Sequence, residues 1–163
     1  FILLKERNFM KICEVLNKST IIPELESTTK EGVVSELLNI FKDDERVLDL
    51  DDVKNSVMER EKIMSTGVGH GFGIPHCKTN MVNGILAAFG KTKSPIDFEA
   101  LDGNPVNLVF LLICNDNLVA PHIKLLSRIS LLMNKEEVRD RLNDAASVDE
   151  IYEIFESEES NIS

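Results

Sequence analysis

Seven consecutive apolar residues, Leu108-Val-Phe-Leu-Leu-Ile-Cys114, constrain the fold of this 163-residue chain more than any other feature. A strand with one wet face alternates apolar and polar side chains. A run apolar on both faces must be covered on both sides, as at the centre of an α/β sheet. The tight-turn signal Asp102-Gly103 precedes it, so the spacing predicts a buried strand over residues 106–114. The run is much shorter than the ~20 residues that span a bilayer, which excludes a membrane-crossing reading. Gly84 to Phe89 reads as a second strand.

Helices to cover such a sheet are written around it. Thr28 to Glu31 has capping-box spacing, and Val33, Val34, Leu37, Leu38 and Phe41 recur at helical intervals, predicting a helix over 29–42. A second is predicted from Asp51 to about Glu61, with Asp51 or Asp52 as N-cap and Val53, Val57 and Met58 on one face. Pro121 stands where a first-turn proline belongs. Ile123, Leu126, Ile129, Leu132 and Met133 continue a stripe to residue 133, which puts His122 in that helix's first turn. Capping-box spacing at Asn134–Glu137 and Ser147–Glu150 opens two further helices, the last expected to fray after Glu156. The expected fold class is α/β: a single domain with a mixed central β-sheet flanked by helices on both faces.

Charge and cysteine usage narrow the function. Twenty-eight acidic residues against 18 basic ones give a net charge of −10, without the basic face that nucleic acid requires. Cys13, Cys77 and Cys114 form no CxxC pair, so neither a disulfide framework nor a zinc ribbon is indicated and a reducing cytoplasm is the expected setting. The apolar opening Phe1 to Leu4 is broken by Lys5-Glu6-Arg7 with no cleavage site after it, unlike a secretory signal. Residues 1–9 read as an extension, 10–157 as the domain and 158–163 as an acidic tail.

Between the second helix and the first strand lies Ser65-Thr-Gly-Val-Gly-His-Gly-Phe-Gly-Ile-Pro-His76, whose four glycines rule out a stable helix. Glycines let backbone N–H groups approach an anion closely, and Pro75 fixes the path of the chain into His76. Imidazole is a good nucleophile at neutral pH and a good leaving group once phosphorylated, so His76 can both accept and donate a phosphoryl group. His122 at a helix start would be kept neutral by the helix dipole while offering a donor to phosphate, and Arg60 could supply a fixed cation. Spacing alone does not bring these three together.

In order along the chain, Glu59-Arg-Glu61, the glycine loop ending Ile-Pro-His-Cys77, Ile96-Asp-Phe-Glu-Ala-Leu-Asp-Gly-Asn-Pro-Val106 and Pro121-His-Ile-Lys-Leu-Leu-Ser-Arg-Ile129 resemble the type-2 enzyme IIA domains of the phosphoenolpyruvate-dependent sugar phosphotransferase system. The resemblance runs from about Met10 to Glu156. It implies the mannitol-type enzyme IIA fold and a phosphoryl relay: His76 takes the group from the histidine phosphocarrier protein and passes it to a cysteine of an enzyme IIB domain, for uptake of a fructose- or mannitol-type sugar. Peripheral association with a membrane IIC permease would follow through IIB. It also implies that His122 and Arg60 stabilise the phosphoryl group, that His70, the third histidine, is a surface residue and Cys77 an unreactive small-residue position, and that no cofactor or metal takes part. The chain departs from the family pattern at Gly73, mostly alanine there, and at Phe72, commonly aliphatic.

Three other readings compete. Nitrogen-type IIA proteins share the fold and the histidine chemistry and signal through phosphorylation-dependent partner binding. A metal site on His70, His76, Cys77 and His122 lacks the HExxH or paired CxxC spacing that such sites use. A binding module that is never phosphorylated would tolerate replacement of His76.

Overall fold

The computed structural model describes residues 10–162. The expected extension over residues 1–9 lies outside the described residues. In chain order the elements are α1 (Ile12–Val15), a 3-10 turn (Lys18–Thr20), β1 (Ile21–Leu25), α2 (Lys30–Asn39), α3 (Leu50–Ile63), β2 (Gly67–Gly69), β3 (Phe72–Gly73), β4 (His76–Lys78), β5 (Ile85–Ile96), β6 (Val106–Cys114), α4 (Val119–Met133), α5 (Glu136–Asp144) and α6 (Val148–Ser160).

The apolar run is the middle of the sheet, as its pattern demands. β6 pairs antiparallel with β5 on one side and parallel with β3 and β4 on the other. β1 joins β5 in parallel and β2 closes the far side against β3, giving a six-stranded mixed sheet of order β1-β5-β6-β3-β2 with β4 in line with β3. Alternate residues of β5 and β6 face opposite layers. Ala87, Phe89, Phe110 and Leu112 pack against α1, α4, α5 and α6, whereas Leu86, Ala88, Leu111 and Ile113 pack against α2 and α3. Phe155 of α6 meets Phe89 and Phe110 edge-on at 5.1 and 5.7 Å between ring centroids.

Several boundaries differ from the sequence expectation. α2 is capped by Thr29, which accepts from the Gly32 N–H, and α3 by Asp49 rather than Asp51 or Asp52, accepting from the Asp52 N–H. Asn134 forms no capping box: it still has helical backbone at the end of α4, whereas an N-cap needs extended backbone, and Lys135 takes that place without a side-chain bond. Ser147 caps α6 as expected. Pro121 is the third residue of α4, where the missing N–H breaks no helical bond. The buried stripe of α4 is His122, Leu125, Ile129, Leu132 and Met133, and Ile123 points to solvent.

The acidic end is not frayed. α6 runs to Ser160 because Glu158 and Glu159 are buried against cations: Arg141 reaches Glu158 at 2.5 Å, and Glu159 accepts from Arg128 Nε at 3.3 Å and from the Ile12 and Cys13 N–H groups at 2.6 and 2.9 Å.

Candidate functional site

Residues 72–78 run in one register along β6, broken at Ile74-Pro75: Phe72 pairs with Leu108, Gly73 with Val109, and His76 with Leu112. Proline has no N–H to give to a ladder, which confines it to sheet edges and breaks. At the break the Ile74 N–H donates to the Thr66 carbonyl at 3.1 Å, and the Ile74 carbonyl accepts from Nδ1 of His76 at 2.6 Å. A carbonyl only accepts, so Nδ1 carries the proton and Nε2 keeps its lone pair. The loop thus selects one tautomer of His76.

Strand alternation turns Cys77 into the α2/α3 core and His76 to the opposite face, where α4 begins. β4 and β6 run parallel, and the chain leaving the end of β6 turns directly into α4. The crevice beyond the carboxyl ends of parallel strands is where open α/β sheets place ligands. His122 meets His76 there, with ring centroids 5.6 Å apart and planes tilted by 50°. His122 is only 6% exposed, and its Nδ1 has no hydrogen-bond partner among the described residues. A buried polar atom left in that state costs about 1–3 kcal/mol until something bonds it.

Both rings are held toward the neutral form. Burial lowers the His76 pKa from its ordinary 6.5; the bond to Ile74 opposes this, the Arg60 charge adds to it and Glu61 opposes it again. His122 is lowered further, to about 4, first by burial and then by His76 and Lys78.

Arg60 is half-buried at the end of α3, where its Nη1 donates to the Met64 carbonyl at 3.1 Å. It shares with Lys62, Lys78 and Asp116 a cleft of about 470 Å³ that also touches Cys77. His76 and His122 are in ring contact and the Arg60 charge acts on His76, so the three residues singled out from the sequence lie at one end of the sheet, although neither histidine lines that cleft. Lys78 is an additional cation there, two residues after His76 on the same strand. The expected pattern of surface His70 and unreactive Cys77 has physical content: His70 is exposed at the hairpin tip, and burial pushes the Cys77 thiol up to about 12.

The glycine loop is not an open anion cradle. It is the β2–β3 hairpin, and N–H groups that a cradle would offer are already used within the protein: Gly67 donates to Ser65 Oγ, His70 to the Asp102 carboxylate and Ile74 to the Thr66 carbonyl. The glycines serve geometry instead. Gly69 and Gly71, with φ of 114° and 82°, flank the tight turn at His70, and a Cβ on Gly73 would stand 2.8 Å from the Phe98 ring. Glycine in place of the family's alanine is thus matched by a bulky neighbour.

Glu61 and its partners escaped the sequence reading. The carboxylate is 5% exposed, lies 2.8 Å from Lys30 Nζ and accepts from the Thr66 N–H and hydroxyl. The signal was present: Val53, Val57 and Glu61 share one helical stripe, so an acid sits where an apolar residue is due.

Fold and site together define a mixed α/β domain with a histidine pair at the carboxyl end of a parallel strand pair, one ring fixed by backbone and the other by burial. The model of the family described as "Phosphoenolpyruvate-dependent sugar phosphotransferase system, EIIA 2" matches residues 14–158, and the chain belongs to that family. A fructose-specific EIIABC component of Bacillus subtilis is 39% identical over 90% of this chain, which spans 23% of that longer protein. A nitrogen regulatory protein of Pseudomonas aeruginosa is 29% identical over 89% of the chain and 94% of its own length. The crystal structure of a nitrogen regulatory IIA protein from Neisseria meningitidis superposes with a TM-score of 0.83 at 32% identity, over 88% of this chain and 98% of that one. Mannitol IIA from Escherichia coli, solved with phosphorylated IIB, has the same fold, with a TM-score of 0.75 at 19% identity, over 88% of this chain and 99% of that one. Among the described residues no helix is long and apolar enough to cross a membrane.

Proposed function

We propose that this chain is a cytoplasmic phosphoryl relay of the sugar phosphotransferase system, carrying the group on Nε2 of His76. The observation that supports it most is the Nδ1–H bond to the Ile74 carbonyl, which leaves Nε2 as the nucleophilic nitrogen. In the first half-reaction Nε2 attacks phosphorus and the bond to a ring nitrogen of the histidine phosphocarrier protein breaks. The positive charge that develops on the His76 ring is stabilised by the Ile74 carbonyl. In the second, a IIB cysteine thiolate attacks the same phosphorus and the P–Nε2 bond breaks, returning the lone pair to His76. Arg60 supplies charge for the equatorial oxygens, and His122, whose Nδ1 has no partner among the described residues, supplies a bond to one of them.

The test is intact-mass measurement after incubation with phosphoenolpyruvate, enzyme I and the phosphocarrier protein. Wild type should gain one phosphoryl group and His76→Ala none. An unmodified wild type would overturn the relay in favour of a binding module.

The fructose-type reading draws on the 39% identity to the Bacillus protein. A nitrogen-type regulatory role is the second reading, favoured by the 32% identity and TM-score of 0.83 to the nitrogen regulatory IIA structure from Neisseria meningitidis. Chasing the phosphorylated chain with a fructose-type IIB domain separates them: loss of the phosphoryl group to a IIB cysteine supports transport, and retention supports regulation.

A further inference from the structure

The tautomer of His76 depends on a carbonyl that does not hold itself still. Ile74 sits at the break between β3 and β4, and the peptide that follows it belongs to Pro75, which has no N–H to anchor the chain. The Ile74 N–H is tied to the Thr66 carbonyl. Thr66, buried just before β2, is tied by both its N–H, at 3.2 and 3.3 Å, and its hydroxyl to the carboxylate of Glu61. Glu61 is gripped in turn by Lys30 Nζ at 2.8 Å, from the first residue of α2. Lys30 lies 4.9 Å above the Phe98 ring, the same ring that presses on Gly73.

A pair this deep is a poor stability device, because removing two charges from water costs about as much as their attraction returns. What it provides is position. Four segments meet at the pair: the start of α2, the end of α3, the hairpin and, through Ile74, the strand bearing His76.

We propose that Glu61, held by Lys30, is a positioning residue for phosphoryl transfer: through Thr66 and Ile74 it locks the Nδ1–H tautomer of His76 and so leaves Nε2 as the ring nitrogen with the lone pair. This rests on the relay reading for its effect on rate, but its structural half is independent of it. Glu61→Gln leaves one acceptor oxygen where two served Thr66 and leaves Lys30 without its counter-ion. Thr66→Val removes only the hydroxyl donor.

The experiment records long-range ¹H–¹⁵N spectra of the His76 ring in the unphosphorylated protein, together with phosphorylation rate and melting. Wild type should show protonated Nδ1 and bare Nε2. Glu61→Gln, and more weakly Thr66→Val, should move His76 toward a tautomer mixture and slow phosphorylation, by about tenfold for Glu61→Gln, the scale expected for misplacing a reacting group. In the double variant Lys30→Met/Glu61→Gln, which removes the uncompensated charge, melting should return toward wild type while tautomer and rate stay altered. If Glu61→Gln does not fold, Thr66→Val and the double variant decide. A wild-type tautomer and rate in every folded variant would overturn the proposal. Failure of wild type to accept phosphate, with the tautomer shifting as expected, would sink the relay reading and leave the positioning chain standing.

Discussion

Two buried glutamates make nearly the same bonds at opposite sides of the molecule. Glu61 accepts from a backbone N–H, a hydroxyl and Lys30 beside the histidine pair, and Glu159 accepts from two backbone N–H groups and Arg128 where α6 meets α1. Their chemistry is alike, and only their neighbours differ. Glu61 leads through Thr66 and Ile74 to the His76 ring, whereas Glu159 leads to the N–H groups of a short helix and holds two ends of the fold together. A buried, satisfied carboxylate is therefore no sign of a functional site by itself.

The largest effect expected of this comparison is from Glu159→Ala, which strands Arg128 and two N–H groups. Stability should fall by about 3–5 kcal/mol, the scale for removing one partner of a buried pair, while the phosphorylation rate per folded molecule stays unchanged. Urea titration with rate measurement under folding conditions checks both. A slower rate in the folded fraction would erase the contrast with Glu61.

The pH dependence of stability sharpens it further. His122 has a folded-state pKa of about 4 against an ordinary 6.5, so between those values the unfolded chain binds more protons than the folded one. Stability should therefore fall as pH drops from 6.5 to 4, by on the order of 3 kcal/mol from this ring. His122→Asn should remove that part of the slope and Glu159→Ala should keep it, as read from unfolding free energies at several pH values. An unchanged slope in His122→Asn would show that the ring is not held neutral by burial.

The smallest expected effect is at Gly73, on the Glu61 side. Gly73→Ala should cost about 1–2 kcal/mol, because the new methyl forces the Phe98 ring to shift. Combining it with Phe98→Leu should cost less than the sum of the two changes, since the two positions share one space. Simple additivity would mean that the ring yields freely.

Much of the site was legible because its signals are local. A helix announces itself through four or five apolar residues on one stripe, and Ile-Pro-His is three adjacent residues. Thus α2, α3, α4 and the β6 core strand fell where periodicity put them, and His76, His122 and Arg60 proved to share one end of the sheet. Short edge elements were less visible. β1 carries Pro23 and only five residues, and β2, β3 and β4 are two or three residues each, stabilised by partners distant in sequence. The caps slipped by one or two residues because Thr28 and Thr29, or Asp49, Asp51 and Asp52, are chemically equivalent until the chain's path selects one.

By itself the sequence determined the layers and the central strand and singled out His76 and His122 as candidates, because hydrophobic period and side-chain chemistry are properties of neighbouring residues. Only the tertiary structure decided which nitrogen of that ring carries the proton, that the glycines pack rather than cradle, and that one acid is buried beneath the site while another clamps the chain's ends. Those outcomes depend on how separate segments meet: the Ile74–His76 bond spans only two positions but forms at the break in the strand, Lys30 and Glu61 come from different helices, and Glu159 and Ile12 lie 147 positions apart, and no local pattern encodes such meetings.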